Sequence, residues 1–360
     1  MTTRSSFDPA GAPAPRWVDV TALAEGAASA PLLDEHGGID EPLIVVDLDE
    51  TPPPAAVAAA ARVASTADRI LVGVSTHRSP AQVLDPLVAK LDLTFAPIAD
   101  RQHLVAAADP VREASALHAA AARNPHAATV LAGLLRWSGS LSVPNALEAE
   151  SLAYSMLLGG PEFRRWLDRR GPRPRPPTAA AEPVLVTRAG AQLRVTLNRP
   201  ERRNAYGREV RDALVAALQV ALVDDGVSHV VLDGVGACFS SGGDLDEFGT
   251  TPDLVTAHLV RTRAGAGRLL HRLAGRTEAR LHGVCVGAGI ELPAFAGRVV
   301  ARPDTSVRLP EVGMGLIPGA GGTVSIPPRI GRWRMLYLAL SGTDLDAATA
   351  REWGLVDEIR

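Results

Sequence analysis

The spacing of apolar and polar residues divides the chain into two halves with similar patterns. In the first half, Leu43–Val46 and Ile70–Val74 are continuous apolar runs, and an alanine-rich stretch lies between them. Short apolar runs predict buried strands, and the alanine-rich stretch predicts a helix. The second half repeats this order with Leu193–Leu197, a helical pattern near Arg208–Val223 and the apolar run His229–Leu232. The pattern therefore predicts a strand–helix–strand unit in each half.

Between the two halves the pattern changes to helices and ends in a proline-rich stretch. Asn124-Pro125 begins a helix, and Ser142-Val143-Pro144 has the residues of an N-cap and first turn for a second helix over 145–158. A glycine pair ends that helix, and a short basic helix over 162–170 follows. The segment 171–183, GPRPRPPTAAAEP, is semi-rigid by composition and marks a domain boundary.

Composition and charge narrow the range of functions. The 360 residues carry a formal net charge of -3 at pH 7, which gives no reason to expect nucleic acid or an anionic membrane as a partner. No apolar run reaches the roughly 18 residues of a membrane helix, and the N-terminus lacks the apolar core of a secretory signal. The two cysteines, Cys238 and Cys285, are too few for a disulfide framework. We therefore predict a cytoplasmic protein.

Two glutamates in glycine-rich surroundings are the strongest candidates for chemistry. Gly287-Ala288-Gly289 precedes Glu291, and such small residues let a ligand approach the backbone and its free N–H groups. Glu311 follows a predicted strand that ends at Pro310, and the turn Ile317-Pro318-Gly319-Ala320-Gly321-Gly322-Thr323 comes after it. Two carboxylates beside free amides can move protons next to a polarised carbonyl.

These motifs resemble those of the enoyl-CoA hydratase/isomerase (crotonase) superfamily. The resemblance rests on the small-residue triplet before Glu291, and on the Pro-Glu pair at Glu311 with its glycine-rich turn. Asn198-Arg199-Pro200 with the closing Asn204-Ala205 is similar to the family's opening signature, and Gly236–Leu245 is similar to its first oxyanion loop. The resemblance implies an α/β fold in which ββα units form a crotonase-like spiral.

The resemblance also implies a set of site residues. Glu291 would orient a water and help deprotonate it for attack at the β-carbon of the substrate, and Glu311 would deliver a proton to the α-carbon. The N–H groups of Gly243 and Ala288 would form the oxyanion hole for the thioester oxygen. The implied contacts to coenzyme A or substrate are Arg199, Arg203, Ala205, Ser241, Gly242, Asp244, Leu245, Gly287, Pro310 and Gly319. No metal or other cofactor is implied, because coenzyme A is part of the acyl-CoA substrate.

Because both glutamates are present, the reaction implied by the resemblance is reversible syn addition of water to a 2-enoyl-CoA, as in fatty acid metabolism. Family members form trimers or hexamers, so a homo-oligomer is expected. Two alternatives share the fold: another enolate reaction, such as isomerisation or ring-substrate hydration and cleavage, and a catalytically weak assembly subunit. A third alternative is a phosphatase, since Asp47-Leu48-Asp49-Glu50-Thr51 resembles the first motif of haloacid-dehalogenase-type enzymes.

The resemblance also suggests how the chain is organised. The helices over 123–170 resemble the closing helices of crotonases, which are not found after the family phrase Trp353–Glu358. We expect these helices to form a lid over the core of their own chain or of a neighbouring subunit. The predicted layout is a disordered or extended lead-in (1–40), a small α/β segment with the order of a degenerate crotonase half (41–122), the lid (123–170), the linker (171–183) and the crotonase core (184–360).

Overall fold

The computed structural model describes residues 14–173 and 181–360, which form two compact units. One unit holds the described residues up to Gly133 together with Arg332–Ser341. The other holds the described residues from Leu134 to Gly331 together with Gly342–Arg360. Residues 1–13 of the expected lead-in and residues 174–180 of the expected linker lie outside the described residues.

The first unit is built on a parallel sheet whose strands neighbour one another in chain order. Its elements are β1 (Arg16–Asp19), α1 (Val20–Ala24), β2 (Leu43–Asp47), α2 (Pro54–Ser65), β3 (Ile70–Val74), α3 (Asp85–Val88), β4 (Leu93–Ala96), β5 (Leu104–Ala106) and α4 (Pro110–Arg123). The order across the sheet is β1-β2-β3-β4-β5, and each neighbouring pair is parallel. The predicted strand–helix–strand unit of the first half is confirmed as β2, α2 and β3.

Burial explains why these strands are continuous apolar runs. Every residue of β3 and the first four of β2 are buried, as expected for parallel strands that are covered on both faces. The returning segment Arg332–Ser341 contributes aromatic side chains to this unit. The ring of Tyr337 packs edge-on against Phe95 with centroids 5.5 Å apart, and Nε1 of Trp333 donates to the carbonyl of Leu91 at 3.1 Å.

From Arg16 onwards, the segment expected to be a disordered or extended lead-in contains regular structure. Arg16–Asp19 forms the edge strand β1, and the side chain of Asp19 caps α1 by accepting from the amide of Ala22 at 2.7 Å. Within β1 only Val18 is buried, so the sequence has no apolar run that would indicate a strand. The strand β1 is therefore stabilised by its pairing with β2, because its own residues have no apolar pattern typical of a strand.

The strand order also bears on the motif Asp47–Thr51. In doubly wound sheets, ligands bind beyond the carboxyl ends of the strands, at the point where the strand order reverses. The order β1 to β5 has no reversal among the described strands, so this sheet offers no such crevice. Asp49 instead accepts from the amide of Thr76 at 2.7 Å and from the hydroxyl of Ser75 at 3.1 Å. The motif therefore ties the end of β2 to the end of β3.

The second unit contains two sheets. After α5 (Pro125–Trp137), which passes from the first unit into the second, its elements are α6 (Val143–Leu158), α7 (Pro161–Arg170), β6 (Val184–Ala189), β7 (Gln192–Leu197), α8 (Arg208–Val223), β8 (His229–Gly234), α9 (Leu254–Arg263), α10 (Gly267–Leu273), β9 (Thr277–Leu281), β10 (Val284–Val286), α11 (Ala288–Glu291), β11 (Arg298–Ala301), β12 (Ser306–Arg308), α12 (Gly322–Ser325), β13 (Leu345–Asp346), α14 (Ala347–Trp353) and β14 (Glu358–Ile359). The remaining helix, α13 (Pro327–Ser341), begins in the second unit and belongs to the first unit from Arg332 onwards.

The larger sheet again follows the chain order, with the sequence β14-β11-β9-β8-β7-β6. All its pairs are parallel except the hairpin of β6 and β7, which the sequence predicts from the runs Val184–Thr187 and Leu193–Leu197 on either side of a turn at Gly190. The smaller sheet has the order β10-β12-β13 and carries the glutamate motifs at its edge. In the part of the chain that the structure describes, no helix is both long and apolar enough to cross a membrane.

Candidate active site

Glu291 and Glu311 lie on two short helical turns that follow neighbouring strands. β10 and β12 are parallel, with Val284 opposite Ser306, so both turns leave the same edge of the small sheet. Glu291 is the last residue of α11, and Glu311 begins a single 3-10 turn that ends at Met314. Both glutamates are buried, with 2% and 9% of their surface exposed. The structure thus brings together the two carboxylates that are 20 positions apart in the sequence.

The two carboxylates meet beside Gly287. This glycine has a φ of +50°, and a Cβ atom on it would overlap Oε1 of Glu311 and lie 3.6 Å from Oε1 of Glu291. Only glycine fits this position, because of both its φ angle and the missing space. The Oε1 atoms of the two glutamates therefore border the same small volume. Oε2 of Glu311 is buried and has no hydrogen-bond partner among the described residues.

The other oxygen of Glu291 is fixed by the glycine-rich turn. Its Oε2 accepts from the amide of Ala320 at 2.7 Å and from the amide of Gly322 at 2.9 Å. Two amide donors on one oxygen hold the carboxylate in a single orientation and favour its charged form. The remaining oxygen, Oε1, stays directed towards Glu311.

A third buried carboxylate, Glu150 on α6, binds the same turn. Its Oε1 accepts from the amide of Gly321 at 2.8 Å, and its Oε2 accepts from the amide of Thr323 at 2.9 Å and the hydroxyl of Thr323 at 2.7 Å. Only 2% of the Glu150 surface is exposed. The helix α6 is therefore tied to the glycine-rich turn through a buried side chain.

Burial raises the pKa of all three carboxyl groups. It raises the pKa of Glu150 to about 7 and that of Glu311 to about 8. The pKa of Glu291 is well above its usual value, because burial is reinforced by the nearby charges of Glu311 and Glu150. Three carboxyl groups this close cannot all be ionised, so near neutral pH the cluster holds at least one proton. Both an acid and a base are then available in one site.

The predicted oxyanion hole consists of the N–H groups of Gly243 and Ala288. Tyr206 is the parallel bridge partner of Gly243: its amide donates to the carbonyl of Gly242, and the amide of Asp244 donates to the carbonyl of Tyr206. This pattern leaves the intervening N–H of Gly243 directed away from Tyr206. Ala288 is the first residue of α11, where an N–H has no partner inside the helix. Both residues line the cavity described next.

A cavity of about 740 Å³ joins these groups. It brings together eight of the predicted site residues: Glu291, Glu311, Gly243, Ala288, Arg199, Ala205, Asp244 and Gly319. Six others do not line it, namely Arg203, Ser241, Gly242, Leu245, Gly287 and Pro310. Several of these support the wall from behind, since the amide of Ser241 donates to the carbonyl of Arg203 at 2.9 Å and Gly242 accepts from Tyr206 at 2.7 Å.

The arginines of the opening signature form ion pairs around the cavity. Arg202, which also lines the cavity, binds Asp244 with contacts of 2.7 and 2.9 Å and Asp246 at 2.7 Å, and so fixes the loop that carries Gly243. Arg199 is buried and pairs with Glu209 of α8 at 2.7 Å. The exposed Arg203 adopts the left-handed conformation with a φ of +52°.

Many residues of the cavity were not predicted from the sequence, and the polar ones among them include Glu150, Tyr154 and Arg261. One signal could have found Glu150. It lies three residues after Leu147 and four before Tyr154, which places all three on one face of α6. An acidic residue on an otherwise apolar helix face requires a partner when that face is buried. No local signal marks Arg261, because its contacts are to residues about a hundred positions away.

Among the residues that the structure describes, neither a metal-ligand cluster nor a cysteine is part of the cavity. Among residues 14–173 and 181–360, no group of three His, Cys, Asp or Glu side chains is placed to hold a metal ion. The free thiols of Cys238 and Cys285 are buried, and burial raises the pKa of both. Neither cysteine lines the cavity.

The comparisons with known proteins agree with the geometry. The sequence profile of the enoyl-CoA hydratase/isomerase family matches residues 188–360. The 2,3-dehydroadipyl-CoA hydratase of Escherichia coli (strain K12) is 34% identical over 176 residues, which cover 49% of this chain and 68% of that protein. An enoyl-CoA isomerase/hydratase of Mycosarcoma maydis is 32% identical over 195 residues, covering 51% of this chain and 71% of that protein.

Solved structures match a similar share of the chain. A putative enoyl-CoA hydratase from Thermobifida fusca YX, solved in complex with acetoacetyl-CoA, is 26% identical with a TM-score of 0.45. That match covers 50% of this chain and 74% of the solved one.

A buried pair of carboxylates beside free backbone amides can move protons next to a polarised carbonyl. The chain belongs to the enoyl-CoA hydratase/isomerase family, within the crotonase superfamily. Membership confirms the predicted family, the α/β crotonase-type fold and an enzyme with the acyl-CoA chemistry of this family. The particular reaction, the roles of individual residues and the domain layout stay predictions.

Proposed function

We propose that this protein catalyses the reversible syn addition of water to a 2-enoyl-CoA. The observation that carries the proposal is the pair of buried carboxylates, Glu291 and Glu311, whose Oε1 atoms border one small volume beside two unused N–H groups. The proposal includes a cytoplasmic homo-oligomer, a trimer or a hexamer. It includes no cofactor beyond the coenzyme A of the substrate.

The backbone donors act on the thioester. The oxygen of the thioester carbonyl accepts hydrogen bonds from the N–H groups of Gly243 and Ala288, which line the cavity. Electron density then moves from the double bond towards this oxygen, and the β-carbon becomes electrophilic. Because the charge on the oxygen grows as the enolate forms, the two donors stabilise the transition state more than the ground state, by about 3 kcal/mol for each donor.

The two carboxylates differ in ways that suggest separate roles. Oε2 of Glu291 accepts two amide hydrogen bonds, which favour its charged form and offset part of the rise in pKa that burial causes, so we assign Glu291 as the base. Oε2 of Glu311 has no donor among the described residues, and burial raises its pKa to about 8, so we assign Glu311 as the acid. Water adds its oxygen to the β-carbon and gives a proton to Glu291, while Glu311 gives its proton to the α-carbon. Both groups lie on one side of the substrate, which makes the addition syn.

We assign the nucleotide part of the substrate to the end of the cavity that Arg199 and Arg202 line. We propose that the contacts carried over from the family, including the exposed Arg203, act on coenzyme A at this end. The relatives whose names include a hydratase of acyl-CoA compounds support acyl-CoA as the class of substrate.

The test is hydration of crotonyl-CoA and of a longer 2-enoyl-CoA, followed by the loss of enoyl-thioester absorbance. Glu291→Gln and Glu311→Gln should each lower kcat by about 10²- to 10⁴-fold, the usual contribution of a general acid or base, and should leave acyl-CoA binding intact. A wild-type protein that binds acyl-CoA but hydrates neither compound would overturn hydration in favour of another enolate reaction. Absence of any acyl-CoA binding would favour the assembly subunit.

A further inference from the structure

Six arginines line the cavity within the described residues, and Arg261 differs from the rest in its charge environment. Arg208 is exposed, and four others form ion pairs with aspartate or glutamate: Arg199, Arg202, Arg211 and Arg268. Arg261, on α9, is partly buried, and no described carboxylate forms an ion pair with it. Among the partly buried arginines of the cavity, Arg261 is therefore the one with no described carboxylate within ion-pair distance, and the charge of Glu150 acts on it only from further away.

Neutral groups of α6 hold this guanidinium in place. Its Nε donates to the hydroxyl of Ser151 at 3.2 Å, and its Nη2 donates to the carbonyl of Ser151 at 3.4 Å and to the hydroxyl of Ser155. Its Cζ lies 4.5 Å from the centre of the Tyr154 ring. No hydrogen bond within the described part of the chain uses Nη1. One edge of the guanidinium is thus fixed, and Nη1 is left for a ligand.

Arg261 is close to the reacting groups. The ring of Tyr154, on which its guanidinium rests, also packs on the glycine-rich turn, because a Cβ atom on Gly319 would overlap that ring. The charges of Glu311 and Glu291 act on the Tyr154 hydroxyl and help to raise its pKa. Arg261 therefore lies one side chain away from the carboxylates, in the part of the cavity that α6 and α9 enclose.

Withdrawing a guanidinium from water without a carboxylate partner is costly, and a neutral side chain could make the same contacts to serine. A carboxylate on the ligand would provide the missing charge with the geometry that arginine favours. We propose that Arg261 binds a carboxylate at the far end of the acyl chain, so that the preferred substrate is a 2-enoyl-CoA whose acyl group is a dicarboxylic acid. This inference rests on the proposed hydratase function.

The opposing explanation is that Arg261 only ties α9 to α6. Two matched substrates separate the explanations: trans-2,3-dehydroadipyl-CoA and trans-2-hexenoyl-CoA have six-carbon acyl chains and differ at the terminal carbon. We expect the wild type to prefer the dicarboxylic compound in kcat/KM by about 10-fold or more. Arg261→Gln should lower kcat/KM for that compound by about 30- to 100-fold and change the hexenoyl value by less than about 3-fold.

Arg263→Gln is the matched control. Arg263 lies two residues further along α9, so it faces a different direction, and it pairs with Glu148. The Arg263→Gln variant should keep the wild-type ratio of kcat/KM values for the two substrates. A wild-type preference for hexenoyl-CoA, or an equal loss for both substrates in Arg261→Gln, would overturn the inference while leaving the hydratase function standing.

Binding of the saturated analogues keeps the inference testable if neither enoyl compound is hydrated, in which case the proposed reaction fails. Adipyl-CoA and hexanoyl-CoA can be compared by calorimetry with the wild type, Arg261→Gln and Arg261→Lys. Tighter binding of adipyl-CoA that is lost in Arg261→Gln and partly kept in Arg261→Lys would support carboxylate recognition without any turnover. Equal binding of the two analogues by the wild type would exclude it.

Discussion

The carboxylates of Glu150 and Glu291 hold alternate amides of one glycine-rich turn. Glu291 accepts from Ala320 and Gly322, and Glu150 accepts from the two amides that alternate with these. One carboxylate belongs to the proposed catalytic pair, and the other belongs to a helix that precedes the family-matching region in the sequence. The orientation of Glu291 therefore depends on a residue of α6.

Replacing Glu150 tests this dependence. Glu150→Gln places an NH2 group against an amide donor of the turn, and one unsatisfied donor costs about 1 to 3 kcal/mol. We expect kcat to fall by about 10-fold or more. Because the charge of Glu150 raises the pKa of Glu291, the pH limb that reports Glu291 should move to lower pH.

The control is Glu148→Gln on the same helix, since Glu148 pairs with Arg268 at 2.6 Å and does not touch the turn. Wild-type rates and an unshifted pH profile in Glu150→Gln would show that the turn keeps its shape without this carboxylate.

Adding one methyl group at Gly287 should abolish activity. The Cβ atom of Gly287→Ala would overlap Oε1 of Glu311, and alanine rarely adopts a φ of +50°. Gly313→Ala is the matched control, because a Cβ atom there meets nothing within 4 Å. The measurement is the hydration rate of each variant. The rates are compared at equal folded fraction, which circular dichroism determines. An active Gly287→Ala enzyme would contradict the described position of Glu311.

The raised pKa values predict that stability falls as the pH rises. A carboxyl group whose pKa is raised by folding binds its proton more tightly in the folded state. Its contribution to stability is therefore fully present below about pH 4.5 and is lost as the pH rises to about 7 for Glu150 and about 8 for Glu311. Carboxylates with lowered pKa values, such as Asp246, change the stability of the fold only at lower pH. Urea unfolding between pH 5 and pH 9 should show a decrease on the order of a few kcal/mol.

Glu311→Gln should remove part of that decrease, because the amide stays neutral at every pH. The variant should be more stable than the wild type at pH 9 and close to it at pH 5. The same pH slope in both proteins would mean that Glu311 is not the buried titrating group.

The helix α7 should support the oxyanion loop. Phe163, 2% exposed, stacks on Trp166 at 5.7 Å and tilts against Phe248 at 6.4 Å, and Phe248 packs on the backbone of Gly243. Phe163→Ala should cost about 3 to 5 kcal/mol of stability and lower kcat, because the loop that carries Gly243 loses its packing. Trp137→Ala, at a side chain that is 49% exposed, should change neither quantity. Calorimetry gives the Tm of each variant as a measure of stability, and the hydration assay gives its kcat.

Local sequence patterns predicted those elements whose structure depends on residues nearby in the chain. The helix α8 has the predicted bounds Arg208–Val223, and the hairpin of β6 and β7 occurs where the turn at Gly190 predicted it. The glutamate motifs were found because glycine is required beside them, as Gly287 shows. In each case the signal lies within about 20 residues of the chain.

Other features depend on packing between distant segments. Glu150 binds an amide 171 positions away, and Arg261 binds serines more than 100 positions away, so no window of sequence contains both partners. The edge strand β1 has one buried residue and is ordered by its pairing with β2. The positions of Glu150 and Arg261 in the cavity therefore depend on how α6 packs against the turn and α9.

The return of Arg332–Ser341 to the first unit has a consequence for how the chain can be divided. A single cut after Gly133 would leave the carbonyl of Leu91 without the indole donor of Trp333, and Phe95 without the ring of Tyr337. The catalytic fragment would in turn carry those two aromatic side chains without their partners. The two units therefore cannot be exchanged as modules between proteins by one crossover, and a functional recombinant would have to inherit both parts together.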